Sequence, residues 1–106
     1  MPAVGTVTAN PLHAARSLAD AGRLDEALAV VETHLKHHEP DPDAFYLLGM
    51  LADARGDAAQ ARTQYRRALY LDPQHTEVLT HLAALLELEG DRHGARLLMQ
   101  RADRWF

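Results

Sequence analysis

The stretch RRALYLDPQHTEVLTHLA, residues 66–83, ends one apolar-periodic run, breaks at Asp72-Pro73 and starts another. As the corner of a compact domain it would point toward a buried catalytic site. As the joint between two copies of one unit it would point toward a surface that grips another chain. The glycines decide between them. Gly22, Gly56 and Gly90 fall 34 residues apart, and Ala27, Ala61 and Ala95 keep the same interval, so GRLDEAL, GDAAQAR and GDRHGAR are three versions of one string. A fixed period of this length marks a stacked-repeat architecture. Asp72-Pro73 therefore joins two units.

Working outward, each of these glycines follows one amphipathic run and precedes the next, as a left-handed residue closing a helix does. Asp41 reads as an N-cap with Pro42 as a tolerated first helical residue, and Asp57 with Gln60 has the spacing of a capping box. The pattern predicts helices at about 10–21, 24–38, 42–55, 58–71, 76–89 and 92–104, with residues 1–9 as a linker or frayed terminus and repeats at about 10–40, 42–73 and 76–106. Within a unit, small residues (Gly49, Ala61, Ala68) allow close helix approach, and Phe45, Leu48, Tyr65 and Leu69 fill the space beside them. In the third unit the equivalents are Ala83, Ala95 and Ala102 with Leu79, Leu82 and Met99.

Composition agrees with a soluble helical chain: 47% of the 106 residues are hydrophobic, 25% charged, and β-branched residues are sparse. A net charge of −4 argues against nucleic acid as the main partner. The absence of cysteine excludes a disulfide framework, a thiolate zinc site and a cysteine nucleophile. No apolar run is long enough to insert in a bilayer, and MPAVGTVTANP lacks the regions of a signal peptide, so a cytoplasmic chain is expected.

The whole pattern resembles the tetratricopeptide repeat. The second unit supplies Phe45, Leu48-Gly49, Ala61, Tyr65, Ala68 and Pro73, and the third Leu79, Leu82-Ala83, Ala95, Met99 and Ala102. The first is weakest: Ala15 and Ala27 match, but His34 stands where a small residue is expected and Pro40 comes one position late. The resemblance implies an all-α fold, a right-handed superhelix of three helix-turn-helix repeats. The longer phrase YLLGMLADARGDAAQARTQYRRALYLDPQHTEVLTHLAALLELEGD is similar to the repeat region appended to chemotaxis-type chemoreceptor glutamate methyltransferases. That likeness implies a regulatory or docking region beside an S-adenosylmethionine-dependent domain, with a chemoreceptor or signalling protein as partner. A free-standing adaptor or homo-oligomeric scaffold is the alternative.

No constellation in the sequence carries catalysis. Ser17 lies mid-helix without a glycine elbow, and no strand followed by a glycine-rich turn offers a nucleotide-cofactor site, so no cofactor is expected. His34, His37 and His38 share one helix end, which reads as imidazoles beside exposed carbonyls in preference to a metal site. The arginines of two helices (Arg62, Arg66 and Arg67; Arg92, Arg96, Arg101 and Arg104) read as a solvated convex face, or as a stripe that attracts an acidic partner.

By the resemblance, the first helix of each unit lines a concave partner-binding groove. The first unit contributes Leu12, His13 and Arg16; the second Asp43, Tyr46, Leu47, Met50 and Asp53; the third Glu77, Thr80, His81, Ala84 and Glu87. Leu47 and Ala84 read equally as packing residues. The lysine and asparagine clamp that grips chaperone tails is missing, and an apolar centre with acidic edges suits a peptide or helix with apolar anchors and basic residues. Trp105-Phe106, at the far end, would invite self-association unless covered.

Overall fold

In the computed structural model, residues 11–104 are described. They form six helices: α1 (Pro11–Asp20), α2 (Leu24–His37), α3 (Pro42–Ala54), α4 (Ala58–Leu71), α5 (Thr76–Leu88) and α6 (Arg92–Asp103). Each expected helix is present, with ends displaced by no more than about one or two residues, the ordinary fraying of a terminal turn. The linker assigned to 1–9 and the aromatic end Trp105-Phe106 lie outside the described residues. The helices pack as three hairpins, α1 on α2, α3 on α4 and α5 on α6, and the hairpins stack in sequence order.

The 34-residue period is a backbone period. Gly22, Gly56 and Gly90 have φ of 81°, 82° and 92°, which only a residue without Cβ adopts cheaply. Each is followed by the same bond reaching five residues back: the N–H of Arg23, Asp57 or Asp91 donates to the carbonyl of Leu18, Ala52 or Leu86 at 2.8, 2.9 and 2.8 Å. This is the Schellman closure, and it turns the chain straight into the next helix. Asp57 and Asp91 then serve as N-caps, accepting from the N–H of Gln60 (3.1 Å) and Gly94 (2.8 Å). Asp41 caps α3 through Ala44 N–H at 2.9 Å.

The first hairpin breaks this rule at one residue. Arg23 has the backbone angles of Asp57 and Asp91 (φ −90°, ψ 67° against −94°, 80° and −89°, 75°) but offers no capping side chain. Its guanidinium pairs with the exposed Glu26 instead. Arg23→Asp is therefore expected to stabilise the chain by about 1 kcal/mol, the usual gain of a cap over a non-capping residue. Urea denaturation should show a higher midpoint; a lower one would mean that repulsion from Asp25 and Glu26 outweighs the cap.

The core is built in two blocks. One spans the second and third hairpins, from Tyr46 and Tyr65 to Leu82, Leu98 and Ala102. The other joins the first two through Leu12, Ala15, Val31, Ala44 and Leu47. Met50 packs against both. Two expectations need correction. Gly49 makes room for the Tyr65 ring in particular: a Cβ there would lie 2.5 Å from Tyr65 Cδ1. Met99, the third-unit counterpart of Tyr65, is 38% exposed, while Tyr65 is fully buried. Tyr65 is covered by the hairpin stacked on its own, and no further described hairpin stacks on α6. His34, out of pattern in its repeat, is accommodated by bonding Asp41 Oδ2 through Nε2 at 2.8 Å while its ring stacks on His38 at 4.4 Å.

Candidate functional site

The first helices of the three hairpins bring their polar side chains together across the stack. Leu12, His13 and Arg16 of α1, Asp43, Tyr46 and Leu47 of α3, and Glu77 of α5 line one cavity of about 140 Å³. At its centre stands Tyr46. The Arg16 guanidinium lies 5.9 Å from the Tyr46 ring centre, and Nη2 is 3.5 Å from Glu77 Oε2. The Tyr46 hydroxyl donates to the same Glu77 oxygen at 3.4 Å, and the His81 ring meets the tyrosine edge-on at 5.2 Å. One residue from each first helix thus meets at a single carboxylate.

Burial divides the thirteen groove candidates. Leu12, Tyr46 (3% exposed) and Leu47 are buried and form the floor, Leu47 as a core residue. Met50 and His81 are half-buried, Met50 as the link between the two core blocks. His13, Arg16, Asp43, Asp53, Glu77, Thr80, Ala84 and Glu87 are exposed. Thr80 uses its hydroxyl to bond the Thr76 carbonyl at 2.8 Å. The apolar centre inferred from sequence is therefore a floor; Asp43 and Glu77 stand beside it in the cavity with the guanidinium of Arg16, while Asp53, Thr80, Ala84 and Glu87 do not line that cavity.

Two neighbours of the cavity were not among the groove residues inferred from the sequence, which names Tyr65 only as a packing residue and His75 not at all. Tyr65 stands behind Tyr46, with ring centres 6.3 Å apart, and approaches His81 at 6.0 Å. His75 caps α5, its Nδ1 accepting from Val78 N–H at 3.3 Å. That cap leaves the proton on Nε2, which donates to Asp43 Oδ1 at 3.0 Å. The signal for His75 was present, since it lies 34 residues after the capping Asp41.

Electrostatics follow from this packing. Burial pushes the Tyr46 phenol up, and the Glu77 carboxylate adds to it; Tyr65 is pushed up by burial and by Asp53. Both stay protonated; Tyr46 donates to Glu77, while the buried Tyr65 hydroxyl has no hydrogen-bond partner among the described residues. Burial lowers His81 below the ordinary imidazole value of 6.5, aided by Arg16 and His75 and opposed by Asp53 and Glu77. Its Nδ1–H donates to the Glu77 carbonyl at 2.9 Å, leaving Nε2 as the ring's acceptor. Because the folded value is lowered, the unfolded chain takes up this proton first. Stability from His81 is thus intact above about pH 6.5 and declines as pH falls toward the folded value. Urea midpoints measured from pH 8 to pH 5.5 should fall less in His81→Gln than in the wild type; parallel falls would contradict this environment.

Among the described residues, no three histidines or carboxylates are grouped to hold a metal ion, and no helix is long and apolar enough to cross a membrane. At the α2 end, His38 bonds the His34 carbonyl through Nδ1 at 3.1 Å.

Stacked helical hairpins with a charged groove across their first helices define a helical-repeat protein-interaction module. The chain belongs to the tetratricopeptide repeat family, whose model matches residues 12–76 and again 46–104. It is 49% identical over 87 residues to the "Probable biofilm formation methyltransferase WspC" of Pseudomonas putida, covering 82% of this chain and 20% of that one. To the protein of the same name from Pseudomonas aeruginosa it is 50% identical over 107 residues, covering 97% and 25%. The chain thus spans a fifth to a quarter of the curated relatives' length. Among solved structures, the type III secretion translocator chaperone SycD of Yersinia enterocolitica superposes with a TM-score of 0.79, covering 90% of this chain and 66% of that one. At 20% identity that likeness is one of fold alone.

Proposed function

We propose that this chain is the docking region of a methyltransferase of the WspC kind, acting in the cytoplasm, and that its groove receives a segment of a signalling partner such as a chemoreceptor. The observation that carries the reading is the extent of the match: about half of the positions are identical over most of this chain, against a quarter or less of the relative's length. On this reading the methyl transfer named in the relatives is performed outside the matched region, and these helices select where it is performed.

The groove favours a cationic segment. Asp43 and Glu77 line the cavity over a floor that buries its aromatic and aliphatic groups, and Asp53 and Glu87 are exposed further along the same two helices, so charge complementarity, more than apolar burial, would set the partner. A short helix or extended strip with lysine or arginine beside one or two apolar anchors matches this lining. Arg16, already held against Glu77, would orient a carboxylate or carbonyl of the bound segment.

Two measurements test the reading at its two levels. An immunoblot of the native organism with an antibody against this chain should give a band several times larger than 11.8 kDa; a band at that size would leave a free-standing adaptor and overturn the methyltransferase context. Deleting residues 11–104 from the full-length protein should leave methylation of a soluble receptor fragment intact but slow methylation of receptors in membranes. Equal rates on both would remove the docking role.

A further inference from the structure

The 34-residue repeat builds two equivalent clefts beside the second helices, and their linings differ in charge. The cleft between the first and second hairpins, about 280 Å³, includes Glu32, Ala52, Asp57, Gln60 and Gln64 in its lining. The residues 34 positions later are Arg66, Leu86, Asp91, Gly94 and Leu98, and all five line the cleft between the second and third hairpins, about 430 Å³. A carboxylate has become a guanidinium, and two carboxamides have become bare backbone and a leucine. The first cleft serves as an internal control: the fold requires the hollow, but it does not require arginine and leucine in it.

The second cleft also runs further. A neighbouring hollow of about 440 Å³ shares Arg66, Leu98 and Arg101 with it and adds Leu69, Tyr70 and Pro73. Tyr70 is 86% exposed and Leu97 is 48% exposed, so an apolar strip is open to solvent along the cleft.

Of the six arginines without a carboxylate partner among the described residues, Arg66, Arg101 and Arg104 border this strip, and Arg67, Arg92 and Arg96 lie outside it. Arg16, Arg23, Arg55 and Arg62 each face a carboxylate. Among the described residues, no carboxylate lies within ion-pair distance of Arg66, Arg101 or Arg104, and Arg101 spends one N–H on the Pro73 carbonyl at 2.9 Å. Asp91, the acid in the lining, is committed to the Gly94 N–H as a helix cap. Three unneutralised guanidiniums border exposed leucine and tyrosine on a chain whose net charge is −4.

We propose that the α4–α6 cleft is a second docking surface, of opposite sign to the groove, which takes an acidic amphipathic segment of a partner protein. Leucine-sized side chains of that segment rest on Leu97, Leu98 and Tyr70, and its carboxylates meet Arg66, Arg101 and Arg104, where guanidinium forks give charge-assisted hydrogen bonds. The two surfaces share α5 but differ in charge, the groove's carboxylates lying on α3 and α5 and the cleft's arginines on α4 and at the end of α6, so one chain holds two segments at once.

The test is fluorescence anisotropy with a fluorescein-labelled 14-residue peptide of glutamate and leucine, the leucines at i, i+3, i+4 and i+7. Two controls replace every glutamate by lysine or every leucine by alanine. The Glu/Leu peptide should bind, and Arg66→Glu/Arg104→Glu, at two exposed positions without ion-pair partners, should weaken it at least tenfold while the circular dichroism melt is retained. Equal affinity for wild type and variant, or no binding, would overturn the proposal. Undiminished binding of the alanine control would overturn it too, reducing the surface to nonspecific charge. Sedimentation velocity and flotation with phosphatidylserine vesicles close the remaining routes. A self-dimer, or vesicle binding, that the double variant abolishes would assign the cleft to a second copy or to a membrane surface instead.

Discussion

Gly49→Leu is expected to destabilise the chain by about 3 kcal/mol or more, the upper end of overpacking costs. A Cβ at position 49 would lie 2.5 Å from Tyr65 Cδ1 and 3.1 Å from Cζ, so the ring must move before any larger side chain fits. The ring has nowhere to go, because Tyr65 is fully buried between its own hairpin and the next. For a domain whose total stability is on the order of 5–15 kcal/mol, the loss should appear as a fall in Tm of about 10 °C or more. Gly49→Ala should also destabilise, although alanine is normally the better helix residue. The chain already contains the compensated version. Where the small position carries a Cβ, as Ala15 and Ala83, the residue at the Tyr65 position is Val31 or Met99. Gly49→Ala and Tyr65→Val should accordingly be less than additive, and strict additivity would contradict the contact.

Tyr46→Ala is the second large effect, a loss of about 3–5 kcal/mol as for other buried aromatics. The sequence places Tyr46 among the groove-lining residues, where a partner-contacting side chain would be open to solvent. It is instead 3% exposed and wedged among Tyr65, His75 and His81, with Arg16 over its face. Removing it opens a cavity at the junction of all three hairpins. Tyr46→Phe keeps the ring and loses only a hydroxyl 3.4 Å from its acceptor, so it should cost less than about 1 kcal/mol. An unchanged melt for Tyr46→Ala would return the residue to the role of a free anchor.

The contrast between these residues explains what was legible beforehand. Gly22, Gly56 and Gly90 act through their own backbone, and the caps Asp41, Asp57 and Asp91 through a carboxylate that reaches an N–H three residues on; such local devices are written directly in sequence spacing. Periodicity also names the groove positions, because a helix face is fixed by its own 3.6-residue turn. It does not say how deep each position lies. Leu12, Tyr46 and Leu47 became floor because a neighbouring hairpin closes over them, and Met99 became surface because no described hairpin does. Charge pairing across hairpins was equally out of reach: His75 with Asp43 and Arg16 with Glu77 join residues 32 and 61 positions apart. The sequence named Asp43, Arg16 and Glu77 individually but could not join them.

The groove and the α4–α6 cleft make opposite demands on a ligand, and that difference can be read residue by residue. The deciding measurement is amide chemical-shift mapping on the 15N-labelled chain during titration with a 14-residue lysine–leucine peptide. Shifts concentrated on α1, α3 and α5, around Arg16, Asp43, Asp53 and Glu77, and abolished by Asp53→Lys/Glu87→Lys, are the expected result. Shifts concentrated on α4 and α6, or none at millimolar peptide, would contradict the assignment of the groove as the surface that holds the partner.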